Sequence, residues 1–338
     1  MITLGKLPSI HTGPGLVDLQ VNGYAGLDFN GDPADWTAEQ FHLVGLALAR
    51  RGVVAVLPTL ITDDPALMIT RAAQYAKFAE EDEQLERCFP RLHIEGPFIS
   101  SADGPRGAHP KRCCQTPQSL PDLLDQLRDA SGDRIGIVTL APELNGATEL
   151  ISCCADSGMC PAIGHTQATS EQIGQAVAAG ARMSTHLGNG SHSVLPRLDN
   201  YVQRQLAEDN LCASFIADGH HVPLTTLRNF IRAKTPSRSI LVTDAIAATE
   251  IGPGEYKVGG ELVMVSEDGH VAKPGTTCLA GSVLTLDRAV INVTSHCRIT
   301  FGQAWAMAST NPAQIAGLPE PRPVTVEIAD GRFSSCSA

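Results

Sequence analysis

The chain has 338 residues, 43% of them hydrophobic and 18% charged, which is enough apolar material for one large α/β barrel or for two ordinary domains. A formal charge of −11 argues against a nucleic-acid surface or an anionic membrane as partner, although a few cations in a pocket still suffice for an anionic small molecule. The ten cysteines are scattered or adjacent without CxxC spacing, MITLGKLPSI has neither a basic nor an apolar leader region, and no apolar run is long enough to span a bilayer, so a cytoplasmic protein with reduced thiols is expected.

Short β-branched runs alternate with helical patterns along most of the chain. A strand over Leu16–Val21 precedes a helix over Thr37–Arg50, and Val53–Leu60 precedes Pro65–Ala79. Arg91–Glu95 leads to Leu120–Asp129, Ile135–Leu140 to Gly146–Ser157, and Cys160–Gly164 to Ser170–Ala179. Strands over Ala181–His186, Ala213–Ala217 and Ser239–Thr243 follow, with a helix over Leu224–Ala233 between the last two. Continuous apolar strands alternating with helices predict a parallel sheet covered on both faces. Eight such units, with no Gly-rich dinucleotide turn after the first strand, favour a closed (β/α)8 TIM-like barrel over a doubly wound sheet. Beyond the eighth strand, Tyr256–Val265 and His270–Ala272, joined around Asp268–Gly269, read as an excursion with a hairpin. Helices near Ser282–Thr294 and Gly302–Ala308 come next, and Val324–Phe333 reads as a small edge hairpin through Asp330–Gly331.

Polar residues gather at the C-terminal ends of these strands, the face that carries the chemistry of a barrel. The third strand ends RLHIEGP, the fifth AIGH, the sixth MSTHL, the seventh FIADGHH and the eighth LVTDA. Catalytic zinc commonly takes three His and Asp/Glu ligands and keeps a position for water. Glu95, His165 and His186 fit that set, with Asp244 free to act as a base. Each has a second reading: Glu95 or Asp244 as a helix cap, each His as a hydrogen-bonded structural residue. Their coincidence on one face favours a site.

Eight motifs occur in a familiar order: DLQVNGYAGLDFN (18–30), HIEGPF (93–98), GAHP (107–110), GHTQAT (164–169), STHLGN (184–189), IADGHHV (216–222), LVTDA (241–245) and LAGSVLTLDRAV (279–290). From about Gly15 to Pro312 the chain thereby resembles the N-acetylglucosamine-6-phosphate deacetylases of the amidohydrolase superfamily. The resemblance implies a metal-dependent hydrolase barrel over residues 15–312, with 1–14 and 313–338 as the remnant of a small β-domain formed by the termini. It implies one divalent ion, Zn2+ or alternatively Fe2+ or another divalent metal, on Glu95, His165 and His186. It makes Asp244 the catalytic aspartate and gives His109 and His221 contacts to the sugar and the reacting acetyl group. Asn189, Gly190 and Arg197 fall where the family holds the 6-phosphate. Acetate and glucosamine 6-phosphate are the products it implies, with Asp244 taking the water's proton and returning it to the amine, and His109 sharing stabilisation of the oxyanion. The implied partner is a small amino sugar alone, and family members commonly pair as homodimers.

Two features bear on substrate and metal count. Where many amidohydrolases carry HxH for a second metal, this chain has Gln20-Val21-Asn22, so a single-metal site is expected. After His186, Gly188-Asn189-Gly190-Ser191-His192 replaces the family's aromatic-Asn-Ala-Met, removing bulk and adding an imidazole near the sugar. The small β-domain is also short at both ends. An unphosphorylated N-acetylhexosamine, or another N-acyl or cyclic amide, is the alternative substrate.

Overall fold

Eight parallel strands carry the core: Leu16–Val21, Val53–Ile61, Leu92–Glu95, Ile135–Leu140, Cys160–Ile163, Met183–Ser184, Cys212–Ile216 and Ser239–Val242. Each is hydrogen-bonded to the next in chain order. This computed structural model describes residues 5–276 and 278–337. Leu16–Val21 and Ile135–Leu140 are buried at every position, as strands covered on both faces must be.

The eighth strand meets the first through a short seam. Asp244 N donates to Gln20 O at 2.9 Å, and Asn22 N donates to Ala245 O at 2.7 Å. Below them the buried Asp18 carboxylate accepts from Thr243 Oγ1 at 2.6 Å and from Thr243 N at 3.2 Å. Burial pushes the Asp18 carboxyl up to about 7 despite these donors. With this seam the sheet forms the expected (β/α)8 barrel, nearly closed.

The helices begin where the sequence offers caps. Thr37 and Thr169 each form a capping box with a Gln three residues on, opening Ala38–Ala49 and Ser170–Ala178. Pro65 starts Pro65–Glu81 behind the Asp64 cap, where its missing N–H costs nothing. No helix among the described residues is long and apolar enough to cross a membrane.

Several boundaries differ from expectation. The sixth strand shrinks from Ala181–His186 to Met183–Ser184, because His186 leaves the ladder with φ 29°. The helix expected over Ser282–Thr294 is Leu286–His296. Its first residues instead extend along the seam, with Gly281 at φ 72° and Ser282 N donating to Asp244 O at 2.9 Å. The excursion is a three-stranded antiparallel sheet of Gly254–Val258, Glu261–Val265 and Val271–Ala272. Gly259 and Gly260, both at positive φ, turn the chain in the middle of what reads as one strand. This flap packs through its own apolar cluster, with Val263 and Val271 against Ile246. At the other end of the chain order, Ile10–Pro14 pairs antiparallel with Pro323–Ala329, which pairs with Arg332–Ser337 around Asp330–Gly331.

Candidate active site

Three ligand atoms converge at the barrel mouth. Glu95 Oε1 lies 2.9 Å from His186 Nε2 and 3.1 Å from His165 Nε2, and the two imidazole nitrogens are 3.2 Å apart. His165 Nδ1 is 2.8 Å from the Pro105 carbonyl. A carbonyl only accepts, so Nδ1 carries the hydrogen and a neutral ring turns a bare lone pair toward Glu95 and His186. Glu95 Oε1 and His165 Nε2 are then two acceptors 3.1 Å apart, a pair that needs a proton or a cation beside it.

A zinc-like cation fits. Bonds of about 2.0–2.2 Å at tetrahedral angles separate ligand atoms by about 3.3–3.6 Å, a few tenths of an ångström wider than the triangle observed. Without an ion, burial pushes Glu95 up, but the His165 and His186 hydrogen bonds outweigh it and hold the carboxyl well below its usual range. Burial likewise pulls His186 down, and Glu95 reverses this to a net rise. Ligand atoms of Glu95, His109 and His165 also fall within 4.8 Å of one another. The triangle with His186 is the tighter of the two arrangements. His109 stands edge-on beside His165, ring centroids 4.5 Å apart. Burial drives His109 down to about 3, so it is neutral, and its Nδ1 has no partner among the described residues.

The backbone aims these groups. His165, His186 and Asp244 all have positive φ, at 52°, 29° and 54°. Such strained conformations, uncommon outside Gly, concentrate at functional sites. Each turns a strand end abruptly into the mouth. Ser214 Oγ accepts from His186 N at 2.7 Å and stabilises one such turn. Gly190, at φ 53°, backs His165, and a Cβ there would stand 2.7 Å from His165 Nδ1. Beneath the triad a buried polar layer links Leu19 O, His93, Thr139 and Thr185, with His93 Nε2 2.7 Å from Thr139 Oγ1.

Asp244 is 9% exposed, and its Oδ1 accepts from Asn22 Nδ2 at 2.7 Å. Burial, then the Glu95 charge, pushes its carboxyl up to about 6 against the opposing pull of His186 and His221. His221 Nδ1 lies 2.6 Å from Asp218 Oδ2, which orients the ring, and His221 and Asp244 both border a cavity of about 480 Å3. Glu95, His109, His165, His186, His221 and Asp244 all line that cavity, as do Asn189 and Gly190. Arg197 does not: it is exposed, in a loop with Val194 and Leu198. His192 also stays off the lining, its Nδ1 3.0 Å from Tyr201 Oη.

Sequence reasoning assigned no positive role to four contributors. Gln20 Nε2 donates to Glu95 Oε1 at 3.0 Å and Asn22 holds Asp244, so the residues standing in for HxH are carboxylate donors. Asp218 orients His221, and the Pro105 carbonyl sets the His165 tautomer. Asp218 could have been noticed inside ADGHH, since an acid three residues before a His often orients it. Nothing local marks Pro105.

No protein-family model matches the chain. The chain is 32% identical over 302 residues to an N-acetylglucosamine-6-phosphate deacetylase of Lysinibacillus sphaericus, covering 89% of this chain and 75% of that protein. It is 33% identical over 330 residues to an N-acetylgalactosamine-6-phosphate deacetylase of Shewanella sp. (strain ANA-3), covering 94% and 76%. The fold matches a mutant N-acetyl-D-glucosamine-6-phosphate deacetylase of Mycobacterium smegmatis, solved in complex with N-acetyl-D-glucosamine-6-phosphate, with TM-score 0.87. That match is at 26% identity and covers 97% of this chain and 85% of that one.

Proposed function

Because the chain belongs to the N-acetylglucosamine-6-phosphate deacetylase family, we propose that it hydrolyses the amide of N-acetylglucosamine 6-phosphate to glucosamine 6-phosphate and acetate. The observation that carries this is the convergence of Glu95, His165 and His186 beside a buried, oriented Asp244. One Zn2+ on the three ligands would lower the pKa of water from 15.7 to about 7 and polarise the acetyl carbonyl.

Asp244 does the proton work. Its Oδ1 is engaged by Asn22, which leaves the other oxygen to accept a proton from the attacking water and deliver it to the departing amine. Burial raises its affinity for that proton, which suits a group that must hold it between the two transfers. His109, neutral at pH 7, donates a hydrogen bond to the oxygen that gains charge. His221, held by Asp218, contacts the sugar, and Asn189 and Gly190 border the substrate in the cavity.

Arg197 is our proposed phosphate ligand from the sequence pattern. Being exposed and off the lining, it reaches a phosphate only if its loop closes or it serves a neighbouring copy. Val194 and Leu198, 85% and 80% exposed beside it, support a homodimer that covers this loop. Ten free cysteines agree with a cytoplasmic setting.

The test is acetate release from N-acetylglucosamine and N-acetylgalactosamine, each with and without 6-phosphate, using zinc-loaded and chelated protein. Zinc-dependent release from the phosphorylated glucosamine derivative is expected. Equal or faster release from the galactosamine epimer would reassign the sugar, and no release from any of the four would sink the proposal.

A further inference from the structure

Among the described residues lining the cavity, Lys273 is the one Lys or Arg, and the groups it shares the cavity with include the acids Glu95, Asp244 and Glu261. A phosphorylated substrate brings further negative charge into this acidic cavity, and Arg197 is not on its wall. We propose that Lys273, carried on the flap, is the cation that receives the substrate's phosphate from within the same chain. This rests on the deacetylase reading and adds a specificity-determining residue to it.

The base of this side chain is built rather than loose. Lys273-Pro274-Gly275-Thr276 forms a turn with Pro at its second position and Gly275 at φ 71° in its third, the type II pattern. Thr276 N donates to Lys273 O at 3.1 Å, Thr276 Oγ1 donates to the same carbonyl at 3.0 Å, and Lys273 N donates to Cys278 O at 3.1 Å. Both backbone polar groups of Lys273 are thereby engaged, and only the four-carbon stem is left to move.

The ammonium is weakly held. Its partner is Glu261 Oε2 at 3.4 Å, with side-chain exposures of 26% and 47%. A long, part-exposed pair of this kind contributes little to stability, so leaving it for a phosphate costs little. An ammonium on a flexible stem acts as a point-charge ligand for phosphate.

The test compares wild type, Lys273→Met and Lys273→Arg on N-acetylglucosamine with and without 6-phosphate, after circular dichroism and zinc content confirm folded, loaded protein. Lys273→Met should raise KM for the phosphorylated sugar by about tenfold or more. It should leave kcat and the unphosphorylated sugar unchanged, and Lys273→Arg should recover most of the loss. An unchanged KM for the phosphorylated sugar, or an equal rise for both sugars, overturns the assignment. If wild type releases acetate from neither sugar, the deacetylase reading fails by itself. Calorimetry with glucosamine 6-phosphate then decides on Lys273: weaker binding by Lys273→Met sustains the phosphate site, and equal binding ends it.

Discussion

Replacing Asp244 by Asn separates the two consequences of burying this carboxyl. The amide oxygen can still accept from Asn22 Nδ2, now 2.7 Å from Asp244 Oδ1, so the packing is retained. The proton shuttle is lost, and general acid–base contributions of about 10²–10⁴ translate into about 3–5 kcal/mol of barrier. In metal-stripped protein the same substitution should stabilise the fold. The folded carboxyl titrates near 6 against 3.8 unfolded, so its favourable contribution is complete below about pH 4 and is lost as pH rises through about 6. Above that range the buried charge costs about 3 kcal/mol relative to the neutral acid, at 1.36 kcal/mol per unit. Calorimetric melts of the two chelated proteins should therefore coincide near pH 4, with Asp244→Asn melting several degrees higher at pH 8. Zinc should erase the advantage, because a bound cation offsets the wild-type charge. Acetate release at saturating substrate supplies kcat in parallel. A variant keeping a tenth of wild-type kcat, or one melting below the wild type at pH 8 without metal, refutes this account.

Four further substitutions test the site. His186→Ala should lose its metal in elemental analysis, whereas His192→Ala, whose ring lies against Tyr201 and off the lining, should retain about one equivalent; two tightly held equivalents in wild type would reject a single-metal site. Gly190→Ala should weaken zinc binding, measured by competition with a chromophoric chelator, because its Cβ would meet His165 Nδ1 at 2.7 Å in a backbone conformation at φ 53° that suits Gly. Unchanged affinity would show that the loop moves aside freely. Arg197→Ala should raise KM for the phosphorylated sugar by the worth of a charged hydrogen bond, about 1.5–3 kcal/mol, and barely alter turnover of the unphosphorylated one. An effect on both alike would remove Arg197 from phosphate recognition.

What could be read from the residues follows the range of the interactions involved. Buried parallel strands are continuous apolar runs, and Thr-x-x-Gln caps are local, so the strand order and several helix starts were legible. Glu95, His165, His186 and Asp244 were legible because each directly follows or ends such a run. The misplaced helix start at Ser282 has a tertiary cause. Gly281 and Ser282 are recruited to the seam by Asp244, which no local pattern encodes. Asn22 was read only as a missing metal ligand, since its partner lies 222 positions away. His109 required a family motif, because it sits in an irregular loop with no periodicity. Lys273 stayed hidden behind the Gly259-Gly260 turn, which folds the flap in a way the uninterrupted strand pattern did not suggest.

The join between the first and eighth strands has a bearing on how the molecule acquires competence. Glu95, His165 and His186 hang from the third, fifth and sixth strand ends, all on one side of that join, so an unsealed sheet already assembles the proposed cation site. The base does not come with it. Asp244 is oriented by Asn22 only when the eighth strand docks on the first, two segments more than 200 residues apart whose pairing must overcome a large loop entropy. On the proposed roles, affinity for metal and capacity for proton transfer are therefore conferred at different stages of assembly, and a chain with its last strand adrift would be a metal-binding protein without being an enzyme.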